Sequence, residues 1–218
     1  MNQLENVNPI ARAFIEGGFV MYVILVIAVV TVILVVERFM ALRSLRVDKK
    51  EFTDHIFKMI INGDMRQAVS FCDTKSTPLS NTVKAGLVQV MNKRPDEEVQ
   101  VAMDAAVLRE MPKLEGFTSF LAVLGNIAVL AGLLGTIIGM IGSFRGVAMA
   151  DPATKAQLLS QGISHALNCT GFGLTVAIVA IVFYGLFQHM IQKAENEMLE
   201  TSMSLLNLVS ANRDKLRD

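Results

Sequence analysis

The chain has 218 residues, 52% of them hydrophobic and 6% aromatic, and its 20 Lys and Arg balance its 20 Asp and Glu. Zero net charge leaves no basic face for nucleic acid. Uninterrupted apolar runs of the length found here exclude an ordinary water-soluble globule and point to the lipid bilayer. Trp is absent, so the interfacial aromatic belt is thin, with Tyr22 and Tyr184 near the ends of apolar runs. Cys72 and Cys169 lie in unlike surroundings and no Cys/His spacing suits zinc, so both are expected to be plain thiols with no metal and no bound cofactor.

Residues 1–18 form a short polar segment lacking the basic start and small-residue cleavage site of a secretory signal, and are expected to stay as an interfacial, periplasmic helix. Residues 19–37 hold the first apolar run, Phe19 to Val36, long enough for a membrane helix and too long for a strand. Residues 38–115 predict a water-facing helical domain. Phe52, Ile56, Met59 and Ile60 recur at helical spacing, Asn62-Gly63-Asp64 stops that helix, and Ser76-Thr77-Pro78 breaks the chain again. Another helix follows to Met91, and a last one from Glu97 carries Pro112, a candidate kink.

The second span is placed at 116–144 and the third at 163–191. The connector, 145–162, is expected to turn over Arg145 to Ala150 and to start the third helix near Pro152, with Asp151 as cap. Residues 192–218 predict a cytoplasmic C-terminal helix with an apolar stripe of Met198, Leu199, Met203, Leu205, Leu206 and Leu208. The expected fold class is thus an all-α membrane protein: three transmembrane helices, a cytoplasmic helical domain between spans one and two, and long helices extending into the cytoplasm. Residues 38–115 hold thirteen Lys and Arg, and the tail from Gln192 four, against one before the first span and two in the connector. The positive-inside rule places the N-terminus outside and the C-terminus in the cytoplasm.

The second span contains NIAVLAGLLGTIIGMIGSF, Asn126 to Phe144, with no charge and four glycines around Thr136. Gly132, Gly135, Gly139 and Gly142, with Gly171 and Gly173 opposite, let helix backbones approach closely, as oligomers and packed bundles both require. Thr136 lies seventeen residues before Ala153 and Thr170 seventeen after it, so a symmetric hairpin brings both to one depth. On a helical wheel His165, Asn168, Cys169 and Phe172 share a face, while Thr170 sits about 140° from His165. Polar groups at such depth either line an ion path or bond across helices at around 1 kcal/mol each. His165 is the sharpest of them, since an imidazole changes charge near neutral pH.

Three segments carry a resemblance. GLLGTIIGMIGSF (Gly132 to Phe144) and GISHALNCTGFGLTVAI (Gly162 to Ile178) look like the second and third spans of the MotA/TolQ/ExbB proton-channel family, and NGDMRQAVSFCDTKSTPLSNTVKAGL (Asn62 to Leu87) is similar to its cytoplasmic helical segment. The resemblance covers nearly the whole chain in order and is to the TolQ/ExbB-like branch. It implies a homopentamer around a single-span ExbD/TolR/MotB-like partner with a membrane Asp, in a bacterial inner membrane, where ion flow, with H+ favoured, drives mechanical work for outer-membrane import, envelope maintenance or motility. Its pore threonines fall on Thr136 and Thr170. His165, in SHAL, stands where that branch usually has Glu, and Val129 and Val179 replace family prolines. A non-conducting three-span scaffold that assembles a partner is the alternative. No nucleophile–base set, paired carboxylates or phosphate loop points to an enzyme.

Overall fold

A computed structural model describes residues 18–44 and 49–212. The interfacial helix expected over 1–18 lies outside these residues except for Gly18. Among the described residues seven helices follow one another: α1 Gly18–Ser44, α2 Lys49–Ile61, α3 Met65–Thr74, α4 Pro78–Met91, α5 Asp96–Glu115, α6 Thr118–Met149 and α7 Lys155–Ala211. No strand occurs among the described residues. Three helical stretches, within Gly18–Ile61, Asp96–Met149 and Lys155–Ala211, are long and apolar enough to cross a membrane. The protein is an all-α membrane protein with three such helices.

The chain divides into two compact units, one of residues up to 37 with 117–186, the other of 38–116 with 187 onward. In the first, Val20, Ile24 and Ile27 of α1 pack with Ala128 of α6 and Val176 and Ala177 of α7. Their outward neighbours are just as apolar: Val26, Ile33, Leu130, Ile137 and Ile178 are each at least half exposed. Helices that are hydrophobic all round and leave such a surface uncovered are built for lipid or for further subunits.

Two boundaries differ from those read in the sequence. The turn expected over Arg145 to Ala150 is helical to Met149, with Ala150 as its cap. One Gly in a long helix costs only about 1 kcal/mol relative to Ala, so Gly146 does not end it. The stop comes where Pro152 drives the residue before it out of the helical region. Residues 152–154 then make a turn in which the Thr154 amide and hydroxyl donate to the Asp151 carbonyl at 3.0 and 3.1 Å, and α7 begins at Lys155 rather than near Pro152.

The second unit has the construction of a water-soluble helical domain. Phe52, Ile56 and Ile60 of α2, Cys72 of α3, Leu87 of α4 and Met103 of α5 are buried together with Met198 and Leu205 of α7. Local signals end its helices. Gly63, at φ +84°, closes α2 with its amide on the Ile60 carbonyl at 3.0 Å. Thr77 and Ser80 form a reciprocal capping box ahead of α4, with Pro78 in the first turn. In the tail the buried stripe is Met198, Thr201, Ser202, Leu205 and Val209, whereas Met203, expected inside, is 65% exposed.

Pro112 lies inside α5, which continues to Glu115, and the helix ends at Gly116, whose φ is +42°. The buried Arg38 guanidinium lies beneath this glycine and donates from Nη1 to the Leu114 carbonyl at 3.5 Å. A cation is favourable at the open carbonyls of a helix C-terminus. A Cβ at Gly116 would collide with the guanidinium and adopt a backbone conformation costing about 1–3 kcal/mol. Gly116→Ala is therefore expected to lower the unfolding midpoint of the purified chain in detergent, more than Gly63→Ala, where a Cβ meets nothing within 4 Å.

Burial, followed by the Asp73 carboxylate, pushes the Cys72 thiol from its ordinary 9.0 up to about 12, with Lys84 opposing. The neutral thiol is thus the folded form. The stability it lends is complete below pH 9.0 and is lost as pH rises toward 12. Maleimide at pH 8 should leave Cys72 unlabelled in the native chain and label it fully in denaturant. Rapid native labelling would contradict this burial.

Candidate functional site

Small residues recur along one stripe of α6 and set its register with α7. A Cβ placed on Gly125 would touch Ala180 and Ile181, one on Gly135 would touch Cys169, and one on Gly139 would touch His165 and Ala166. At the centre the backbones themselves meet. A Cβ on Gly132 would lie 3.1 Å from the Cys169 carbonyl and 3.2 Å from the Thr170 Cα, and one on Gly173 only 2.6 Å from the Ala128 carbonyl. Toward the connector, Ser143 fills the space beside Gly162. Gly142 and Gly171 are not part of this contact, since a Cβ on either would meet nothing within 4 Å.

This register places the polar residues. The Thr170 hydroxyl reaches across the crossing and donates to the Gly132 carbonyl at 3.1 Å. The Thr136 hydroxyl donates to the Leu133 carbonyl at 2.6 Å. Both threonines are half-buried, and their hydrogens rest on neighbouring carbonyls of one α6 turn. Back-bonding within a helix is the usual arrangement for a hydroxyl in these segments: Thr31 to Ile27 (2.8 Å), Ser143 to Gly139 (2.8 Å) and Thr175 to Gly171 (2.8 Å) behave so. Thr170 differs in bonding the neighbouring helix. Asn168 is half-buried on α7. The pairing of Gly135 with Cys169 puts it close to the level of Thr136.

His165 stands one turn nearer the connector. Its ring lies between α6 and the first residue of α1: a Cβ on Gly139 would be 2.9 Å from Cδ2, and one on Gly18 3.2 Å from Cε1 and 3.7 Å from Nε2. The ring also lines an open groove of about 970 Å³ whose walls include Gly142, Ser143, Gln161 and Ser164. Gly18, Ser143 and Gly162 were not singled out from sequence. Pairing α6 with α7 around the Gly132–Gly173 crossing would have found the latter two, while nothing local marks Gly18 as a neighbour of His165.

Chemically the set is one of acceptors. A threonine hydroxyl that has given its hydrogen to a carbonyl keeps lone pairs for water or a hydrated cation. No group of His, Cys, Asp and Glu among the described residues could hold a metal ion.

Three apolar helices, two of them pressed together through glycine with hydroxyls at the crossing, define a polytopic helical membrane protein whose polar groups are gathered at a helix–helix contact. The description of the MotA/TolQ/ExbB proton channel family matches residues 74–200. The Tol-Pal system protein TolQ of Pseudomonas aeruginosa is 33% identical over 200 residues, 87% of this chain and 84% of that protein. The biopolymer transport protein ExbB of Pseudomonas putida is 32% identical over 118 residues, 54% of this chain and 36% of that protein. A putative ExbB-like protein of Synechocystis is 25% identical over 173 residues, 79% of this chain and 81% of that protein. The chain belongs to the MotA/TolQ/ExbB proton channel family, in its TolQ/ExbB-like branch.

The geometry of the crossing gives a stability test. Gly173→Ala forces Cβ onto a backbone carbonyl that cannot move aside, so it should part α6 from α7 and lower the thermal midpoint in detergent. Gly171→Ala should leave the hairpin intact. Equal midpoints for the two variants would contradict the crossing.

Proposed function

We propose that the protein is the ion-conducting subunit of an inner-membrane complex that uses the proton-motive force to drive mechanical work through a single-span partner carrying a membrane Asp. Family membership supports the class. The observation that carries the residue assignment is the pair of hydroxyls, Thr136 and Thr170, donating to the Leu133 and Gly132 carbonyls and thereby offering only acceptor lone pairs. A cation or hydronium passing such oxygens is met by the correct end of each dipole. His165, beside the same hairpin, adds an imidazole, a side chain with nitrogens that can accept or donate a hydrogen bond. In this reading the chain assembles as a homopentamer in a bacterial inner membrane, N-terminus periplasmic and C-terminus cytoplasmic, and H+ is the transported ion.

The test is proton flux into liposomes by the complex purified with its single-span partner. Thr136→Val and Thr170→Val keep side-chain shape but remove the acceptor oxygen. Each is expected to lower flux about tenfold or more, the factor that 1.4 kcal/mol on a barrier produces, while the complex still co-purifies. Thr170→Ser should keep most of the flux. A wild-type complex that conducts no protons under an imposed potential would instead indicate a non-conducting scaffold.

A further inference from the structure

We infer that Gly139 is a positioning residue for His165: together with Gly18 it forms a side-chain-free cradle that holds the imidazole at the edge of the α6–α7 groove. With the ring where it stands, a Cβ on either neighbour would crowd it. On α6, a methyl at Gly139 would come within 2.9 Å of Cδ2, closer than ring and methyl carbons approach without displacement. On α1, a methyl at Gly18 would stand 3.2 Å from Cε1, and the φ of +57° at Gly18 already disfavours any side chain. The ring is thus held on the Cδ2 and Cε1 edges by two different helices. Its remaining open side gives onto the groove of about 970 Å³ walled by Ser143, Gln161 and Ser164.

A packing glycine and a positioning glycine differ in what they act through. Gly132 and Gly173 face backbone, and a methyl on either would push helices apart whatever side chains lie nearby. The closest atom to a methyl on Gly139 is the ring itself, with Ala166 farther off at 3.3 Å. Its effect should therefore depend on His165 being present. The neighbouring Gly142 lines the same groove but faces open space, which makes it the matched control.

The inference rests on the conducting role proposed above, and a double-mutant cycle on flux separates the two. Proton flux of the partner-bound complex in liposomes is measured from pH 5 to 8 for wild type, Gly139→Ala, Gly142→Ala, His165→Ala and the Gly139→Ala/His165→Ala double variant. Gly139→Ala should lower flux about tenfold or shift its pH profile, and Gly142→Ala should do neither. The double variant should match His165→Ala alone, because removing the ring makes room for the methyl. If Gly139→Ala fails to assemble, restored assembly in the double variant supports the same conclusion. A penalty from Gly139→Ala that is undiminished in the His165→Ala background would make it a packing glycine and overturn the inference. Unchanged flux in His165→Ala, with the Thr136 and Thr170 variants still inactive, would also overturn it but leave the threonine path standing. Full flux in all of these variants would remove the assignment of the path to these residues as well, whereas a wild-type complex without flux would remove the proposed function.

Discussion

The approach of α6 to α7 at Gly132 and Gly173 sets everything else in the membrane unit. Lipid chains are as apolar as Leu, so no hydrophobic drive pulls two helices together there; close packing, hydrogen bonds and lipid entropy remain. Packing forces act over a fraction of an ångström, and only glycine lets backbone meet backbone. The same constraint fixes register. With a Cβ at Gly173 only 2.6 Å from the Ala128 carbonyl, a shift of one residue would bring a side chain into a space that holds none. Because the register is fixed, Thr170 meets the Gly132 carbonyl and His165 meets Gly139. The polar groups are placed by the glycines rather than by their own bonds.

The chain joins two kinds of construction. Residues 49–116 use the devices of a protein in water: a capping box, a positive-φ glycine stop, a buried apolar core, and ion pairs such as Lys49 to Glu200 at 2.5 Å on its surface. Exposed pairs of this sort contribute roughly 0–1 kcal/mol, so core burial and caps carry the stability of that unit. The membrane unit has a small buried cluster of its own, around Ile24 and Ala128, but leaves many of its large apolar side chains outside. At 57 residues α7 would be about 85 Å long, nearly three times the hydrocarbon thickness of a bilayer. Its polar portion beyond Ile191 belongs to the water-type unit, where Met198 and Leu205 are fully buried.

Helix existence was legible because the apolar runs exceed any other use for them, and because Gly63 and Thr77-Pro78 are signals whose meaning is local. Boundaries in the connector were not. Arg145-Gly146 resembles a turn, but a long helix absorbs one glycine, and only the steric effect of Pro152 stops it. The break at Gly116 was hidden by the apolar run that begins one residue later. The tail stripe was misplaced in part because leucines and methionines dominate it, whereas a seven-residue repeat of contacts buries Thr201 and Ser202 and leaves Met203 in water. In the site, residue types and approximate depth could be taken from spacing. Which glycine serves which side chain could not, since that depends on the crossing point, a tertiary quantity. Gly142 and Gly139 look alike in sequence and differ entirely in what a methyl would touch.

The chemistry of the spans sets one further requirement on the proposed conduction. Between Phe19 and Val36, Phe117 and Phe144, and Ile163 and Ile191 there is no Asp, Glu, Lys or Arg. These stretches therefore supply hydroxyl oxygens, side-chain amides and imidazoles, but no fixed negative charge. A cation entering hydrocarbon without a counter-charge faces a cost of several kcal/mol or more, which dipoles alone offset only in part. His165 does not relieve the requirement, because an imidazole is either neutral or cationic and never negative. A compensating carboxylate would then come from outside these three stretches, and in the proposed complex the membrane Asp of the single-span partner would supply it. Under that proposal conduction and partner binding would be one property: without the partner the hydroxyls would offer a polar path but no place for the ion to rest.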